Sequence, residues 1–390
     1  MIAKKFDVLV RGGRIFDPVR KLDMVGDIGI SYPNIAEIID PQTETDRVCA
    51  THIVDAGGLM VVPGLVELHS HFFPTLSFAM TRPEEAFRDG IVAIADCGSS
   101  GYKEFPYFRQ NIMDPSPMVT NACIYATSAG QNDDENEFGL PGFVDKAMMV
   151  RMINIHKDVI LGVKVLFSKN KCNNLEMLEI ARQTCRETNT RLFAHVTNAN
   201  FPFPEYIKYF DEGDVVVHCY HGRGNSLINP DTGRLYDEVW EARKRGVLFD
   251  AARGTINWDY SVCRQAFSEG FFPDFITSDM TALTSMPNTC QLTTYMTELM
   301  ALGMPFADIL KRVTYDAAAV MKGVRTGIAV GQPANLTLLR FAERKQTYRD
   351  SRKEEFTVDQ VIEPVATILK GHVVYDARVS GNWRENYAVY

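Results

Sequence analysis

The sequence predicts an α/β chain: a (β/α)8 TIM barrel with a small β-sandwich built from its two ends. Eight short apolar runs, at 60–68, 90–96, 118–126, 159–167, 191–196, 214–219, 246–250 and 274–278, alternate with helix-like stretches. That alternation implies a parallel sheet with right-handed crossovers. The runs and their crossovers take up roughly the 250 residues typical of a closed barrel. No GxGxxG follows any run, which removes the main motif of an open dinucleotide-binding sheet. Short strand patterns broken by Gly, Pro and Asn before residue 57 return after 331, and chain ends commonly lie together at the surface. The expected division is 1–57 with 331–390 as the sandwich, and 58–330 as the barrel.

Taken in order, Asp7-Val8-Leu9-Val10-Arg11 and Arg14-Ile15-Phe16-Asp17 flank a Gly12-Gly13 break, and strands at 27–30 and 35–39 follow. In the barrel, helices are expected at 82–89, 146–156, 175–188, 204–212, 236–245 and 262–269. Leu175-Glu176-Met177-Leu178-Glu179-Ile180-Ala181 has the 3.6-residue apolar spacing of an amphipathic helix. Two further helices, 291–302 and 306–321, are separated by Gly303-Met304-Pro305 and should pack on the outside or base of the barrel. The charge-rich stretch 343–355 reads as an exposed loop.

Composition narrows the function. The chain is 46% hydrophobic and 23% charged with a formal charge of −8, and its cations form no long runs, which disfavours nucleic acid and anionic membranes as partners. There is neither a long uncharged apolar run nor a secretory leader, so a soluble, cytoplasmic protein is expected; its expected partners are a small-molecule substrate and further copies of the same chain. Eight scattered cysteines form no CxxC pair, so they are expected to be reduced and mostly buried. Any metal must then rest mainly on His and carboxylate ligands.

Barrel enzymes place their reacting groups at the C-terminal ends of strands. The first run ends in His69-Ser70-His71. Residues two apart on a strand share a face, so both imidazoles project together, as a metal requires. The second run ends in Asp96-Cys97-Gly98-Ser99-Ser100, the fifth in His195, the sixth in His218 and His221, and the eighth in Asp279. Five of the eight histidines fall at these positions. Alone, His195 would read as a satisfied strand-end residue and Asp279 as a helix N-cap. Lys164 lies inside the apolar run Leu161-Gly162-Val163-Lys164-Val165-Leu166-Phe167, where an ammonium is costly unless neutralised. A deprotonated lysine can add carbon dioxide, and the carbamate carries two oxygens suited to bridging two metal ions. A lysine snorkelling to the rim or paired with an acid is the plainer alternative.

The order HxH, strand-borne Lys, His, His, Asp on such a barrel resembles the amidohydrolase superfamily over nearly the whole chain. Val62-Pro63-Gly64, Gly162-Val163-Lys164, His218-Cys219-Tyr220-His221-Gly222, Glu238-Val239-Trp240-Glu241-Ala242-Arg243 and Met300-Ala301-Leu302-Gly303-Met304-Pro305 resemble its dihydroorotase-like amidohydrolase/deacetylase branch. The resemblance implies two divalent metal ions, usually Zn2+. His69, His71 and Asp279 would hold one, His195 and His218 the other, with carboxylated Lys164 and a hydroxide bridging them. It implies Asp279 as the catalytic proton carrier.

The loops depart from that branch. Phe249-Asp250-Ala251-Ala252-Arg253-Gly254 carries an arginine where the branch has histidine, and Arg253 could fork onto a substrate carboxylate or pair with a neighbouring acid such as Asp250. His221, Arg223 and Asn288 are the other candidate substrate contacts. The expected reaction is hydrolysis of an amide or ester bond in a small, carboxylate-bearing acylated substrate. The alternative is ring opening of a cyclic amide, as in a dihydroorotase or hydantoinase. A catalytically silent scaffold fits less well, because the ligand set is complete.

Overall fold

The computed structural model describes residues 4–40, 48–132, 144–169, 175–283 and 291–379. The first five strands are β1 (Lys4–Asp17), β2 (Leu22–Ser31), β3 (Asn34–Ile39), β4 (Val48–Asp55) and β5 (Met60–Pro63). They join the last three, β13 (Leu336–Arg349), β14 (Glu355–Leu369) and β15 (His372–Asp376), in one mixed eight-stranded sheet. The antiparallel pair β5–β13 brings the two ends of the chain together. Val8, Ile28 and Ile30 then share one buried core with Leu336, Leu338 and Ile368.

Between these ends run β6 (Leu65–Ser70), β7 (Ile91–Gly101), β8 (Val119–Tyr125), β9 (Ile160–Leu166), β10 (Arg191–His195), β11 (Val215–Val217) and β12 (Leu248–Asp250). They pair in sequence order as a seven-stranded parallel sheet. Their near-continuous apolar character follows from helices covering the sheet, which leaves the strands buried. The eighth expected run forms no named strand. It makes a parallel bridge from Phe275 to Asp250 and another from Met280 to Ser70, next to the sheet's two edges. Met280 donates its N–H to the His69 carbonyl at 3.1 Å, and His71 donates back to the Met280 carbonyl at 2.8 Å.

The first run is two strands rather than one. Pro63 lacks an N–H, and a Cβ at Gly64 would lie 2.5 Å from Val92, so the chain breaks there and crosses from one sheet to the other. The stretch 343–355 is not an open loop. It forms the distal half of β13 and the turn into β14, and charges of this hairpin pair across the strands as Arg344–Glu363 and Arg349–Glu355. The expected helix at 204–212 is only a short turn, Phe203–Tyr206, followed by a 3-10 turn, and 82–89 is likewise 3-10, at Pro83–Asp89. The helix at Leu175–Thr188 has the expected bounds. Ala317, Val320 and Met321, at the end of the last helical stretch, pack into one cluster with Val66, Ala93, Leu161 and Phe193 of the sheet. No helix among the described residues is long and apolar enough to cross a membrane. Cys97, Cys123, Cys185, Cys219 and Cys263 are free and buried, and Cys49 is exposed; Cys172 and Cys290 lie outside the described residues.

Buried Asp89 caps the helix Leu292–Ala301, accepting from the Leu292 N–H at 2.5 Å and the Thr293 hydroxyl at 2.6 Å. Burial pushes its carboxyl from 3.8 up to about 6, against the pull of those hydrogen bonds. The folded state therefore holds an extra proton between these values, and stability falls as pH rises through that window, levelling off above it. Asp89→Asn keeps the acceptor and removes the titration. Its stability relative to wild type is expected to rise between pH 4 and 6 in urea unfolding; a pH-independent difference would contradict the assignment.

Candidate metal centre

Polar side chains converge where the parallel strands end. His69 and His71 leave the end of β6 on one face. Asp279, in the segment that bridges back to β6, presents Oδ1 3.4 Å from His69 Nε2 and 3.3 Å from His71 Nε2. One donor atom from each of the three falls within 4.8 Å of the others, a spacing suited to one ion with ligands at ~2.0–2.2 Å. Asp279 has φ 57° and His218 φ 65°, left-handed conformations that side chains adopt uncommonly and that cluster at functional sites. Gly254 lies behind Asp279, and a Cβ there would sit 2.5 Å from Asp279 Oδ2. Only glycine lets that carboxylate keep its place.

Lys164, from β9, is 1% exposed. Its Nζ lies 3.3 Å from His69 Nε2 and donates to Cys97 Sγ at 3.1 Å. Gly98, at φ 89°, admits its stem, since a Cβ would meet Lys164 Cβ at 2.5 Å. His218 stacks edge-on to His195 at 4.4 Å between ring centroids and lies 5.0 Å from His69. Its Nδ1 meets the Ala252 carbonyl at 2.9 Å, so that nitrogen carries the proton and Nε2 keeps its lone pair.

The electrostatics favour ligation. Burial first, then the Lys164 ammonium and neighbouring imidazoles, hold His69 and His195 well below the usual histidine range. Burial, then His195 and Lys164, do the same to His218. Neutral imidazoles are the form that binds metal. Burial works against charge on His71 too, but the Asp279 carboxylate more than offsets it and raises its pKa.

Sequence reading assigned Asp96, Ser99 and Asp250 no contact with the histidines, and Glu67 no role at all. Ser99 Oγ lies 2.8 Å from His71 Nδ1 and donates to Asp96 Oδ2 at 2.7 Å. Asp250 Oδ2 stands 3.6 Å from His69 Nδ1, while its other oxygen accepts from the Thr277 hydroxyl; burial pushes this carboxyl up to about 8. Glu67 ties β6 to the eighth segment, accepting from the His69 N–H at 2.9 Å and from the Ser278 N–H and hydroxyl. Burial raises its carboxyl well above the usual range. The available signal was an acid isolated within an apolar run, as in Leu65-Val66-Glu67-Leu68.

The candidate substrate contacts divide. His221 is buried beside this group; neither ring nitrogen has a hydrogen-bond partner among the described atoms, and burial lowers its pKa to about 4. Arg223 is exposed on the same loop, its carbonyl accepting from the Asn198 N–H. Asn288 lies outside the described residues. Arg253, expected to fork onto a substrate carboxylate or pair with Asp250, instead forks onto Glu298 at 2.5 and 2.9 Å and reaches the Arg349 carbonyl at 3.1 Å. With Glu298 fully buried, Arg253→Met would strand a carboxylate, so a loss of about 3–5 kcal/mol is expected in urea unfolding. Selective weakening of anionic substrates at unchanged stability would overturn that reading.

No family model matches the chain. A deacetylase from Enterococcus faecalis is 25% identical over 329 residues, covering 82% of this chain and 87% of that protein. A deacetylase from Brucella anthropi is 24% identical over 331 residues, covering 83% and 82%. In three dimensions the chain matches a crystal structure of an adenine deaminase with a TM-score of 0.84 at 23% identity, over 95% of this chain and 100% of the other. It matches a dihydroorotase at 0.82 and 21%, over 94% and 98%. These two share its fold.

Proposed function

We propose that this chain belongs to the amidohydrolase superfamily, in its dihydroorotase-like branch, and is a two-metal hydrolase cleaving the amide or ester bond of a small acylated substrate. The observation that carries this is the convergence of His69, His71 and Asp279, with Lys164 Nζ 3.3 Å from His69 Nε2. Under this reading Phe275–Met280 supplies the eighth stave of a closed barrel, which aims Asp279 at the histidines of the first.

His69, His71 and Asp279 would hold one divalent ion and His195 with His218 the other, zinc being suited to this nitrogen and oxygen donor set. Lys164, carboxylated, would offer an oxygen to each. When bound, such ions supply a hydroxide at neutral pH and polarise the carbonyl under attack. Asp279 takes the proton of the attacking water on its carboxylate and returns it to the leaving nitrogen or oxygen. Ser99 fixes the ring of His71, and the Asp250 carboxyl stands beside that of His69. His221 and Arg223 line the substrate side. The earlier expectation of a substrate carboxylate rested on Arg253, whose charge Glu298 already matches, so Arg223 is the cation proposed to meet one.

The test is metal analysis of the purified protein, with about two transition-metal ions per chain expected, followed by a hydrolysis screen of N-acyl amino acids, O-acyl hydroxy acids and cyclic ureides. Turnover of the acyl compounds supports the proposal. Turnover of ureides alone replaces it with the cyclic amidohydrolase reading, and activity in metal-free protein ends it.

A further inference from the structure

The β13–β14 hairpin does more than extend the terminal sheet, because its tip reaches the loops around the metal centre. Ser351 donates its N–H to the Trp258 carbonyl at 2.9 Å, and Asp350 Oδ2 accepts from the Tyr260 N–H at 3.1 Å. Arg352, 61% exposed along its side chain, places Nε 2.7 Å from Oδ2 of Asp259, which is 1% exposed. Its Nη2 also donates to the Gly222 carbonyl. Gly222 follows His221 directly. Asp259 is pressed against it so closely that a Cβ at 222 would lie 2.0 Å from the carboxylate. The same carboxylate caps the helix Tyr260–Ser268 through the Ser261 and Val262 N–H groups.

One guanidinium thus fastens a helix cap and the backbone next to His221 at once. A surface ion pair is ordinarily worth little. This one differs in having a buried anion as its partner and a hydrogen bond to a site-loop carbonyl as well, which converts a long exposed side chain into a positional constraint. Loops that carry binding residues depend on such supports.

We propose that Arg352 is a positioning residue for substrate binding, delivered by the terminal-sheet hairpin, which holds the loop 219–224 so that His221 stays against the bound substrate. The inference rests on the hydrolase reading for its substrate. Arg352→Ala is expected to raise KM about tenfold for the N-acyl or O-acyl compound turned over fastest by wild type, with kcat within about twofold and metal content unchanged. Arg352→Lys keeps the charge, loses the fork and should fall between the two. Glu354→Ala, which breaks only the neighbouring pair with Arg264 at the same tip, should leave KM as it was. In the metal-loaded protein without substrate, amide hydrogen exchange across 219–224 should speed up in Arg352→Ala and not in Glu354→Ala. An unchanged KM with a lowered Tm, or equal KM effects in both alanine variants, would make the hairpin a structural staple and overturn the proposal. If wild type hydrolyses nothing in the screen, the hydrolase reading fails, and unchanged exchange in Arg352→Ala would then independently refute the positioning role.

Discussion

Lys164→Ala is expected to lower kcat/KM by at least about a thousandfold, equivalent to about 4 kcal/mol of transition-state stabilisation, and to reduce bound metal from about two ions to about one per chain. Lys164 is 1% exposed, and among the described residues its Nζ meets His69 Nε2 and Cys97 Sγ rather than a carboxylate. An ammonium left there among imidazoles is electrostatically unfavourable. Carboxylation would turn it into an anion and, under the proposed reading, a ligand shared by both ions. Short-chain carboxylic acids should therefore restore part of the activity and metal content of Lys164→Ala, by supplying the missing oxygens from solution. Lys164→Met serves as a control that fills the volume. A lysine with only a structural role would tolerate it, because apolar replacement of a buried charge is often neutral or stabilising. Wild-type activity in either variant without additive would remove the bridging role.

Asp279→Asn is expected to lower kcat by about 10²- to 10⁴-fold, the usual contribution of a positioned proton carrier. Asparagine has nearly the same shape, so the tight contact with Gly254 and the 3.4 Å approach of Asn257 Nδ2 should not unfold the segment, and Tm should stay close to wild type. The amide can still approach His69 and His71 but cannot hold a proton. The two variants separate two roles: Lys164→Ala loses metal along with activity and responds to added carboxylic acids, whereas Asp279→Asn does not respond to them. An Asp279→Asn enzyme with more than about a tenth of wild-type kcat would exclude Asp279 as proton carrier.

The polar constellation was legible along the chain because strand geometry is local. A two-residue period puts His69 and His71 on one side of β6 whatever the rest of the chain does. A lysine within Gly162-Val163-Lys164-Val165 is conspicuous because charge is expensive in a buried strand. Local spacing could not, however, divide the first run into β5 and β6. Their separation depends on β13 pairing with β5, a partner more than 270 residues away in the chain. The hairpin misread as a loop has the same cause, since alternating charges describe an exposed strand edge only once the opposite strand is known.

By itself, then, the sequence determined which donor types stand at the strand ends and in what order, because a covalent chain fixes side-chain periodicity at short range. Only the tertiary structure decided how they are held and which charges are already spent. It brings Asp279 to 3.3 Å from His71 Nε2, sets Asp250 beside His69, gives Arg253 to Glu298, and lays Arg352 against the loop of His221. Each of these is a contact between distant segments, and its strength depends on distance and burial, quantities that exist only after the chain has packed.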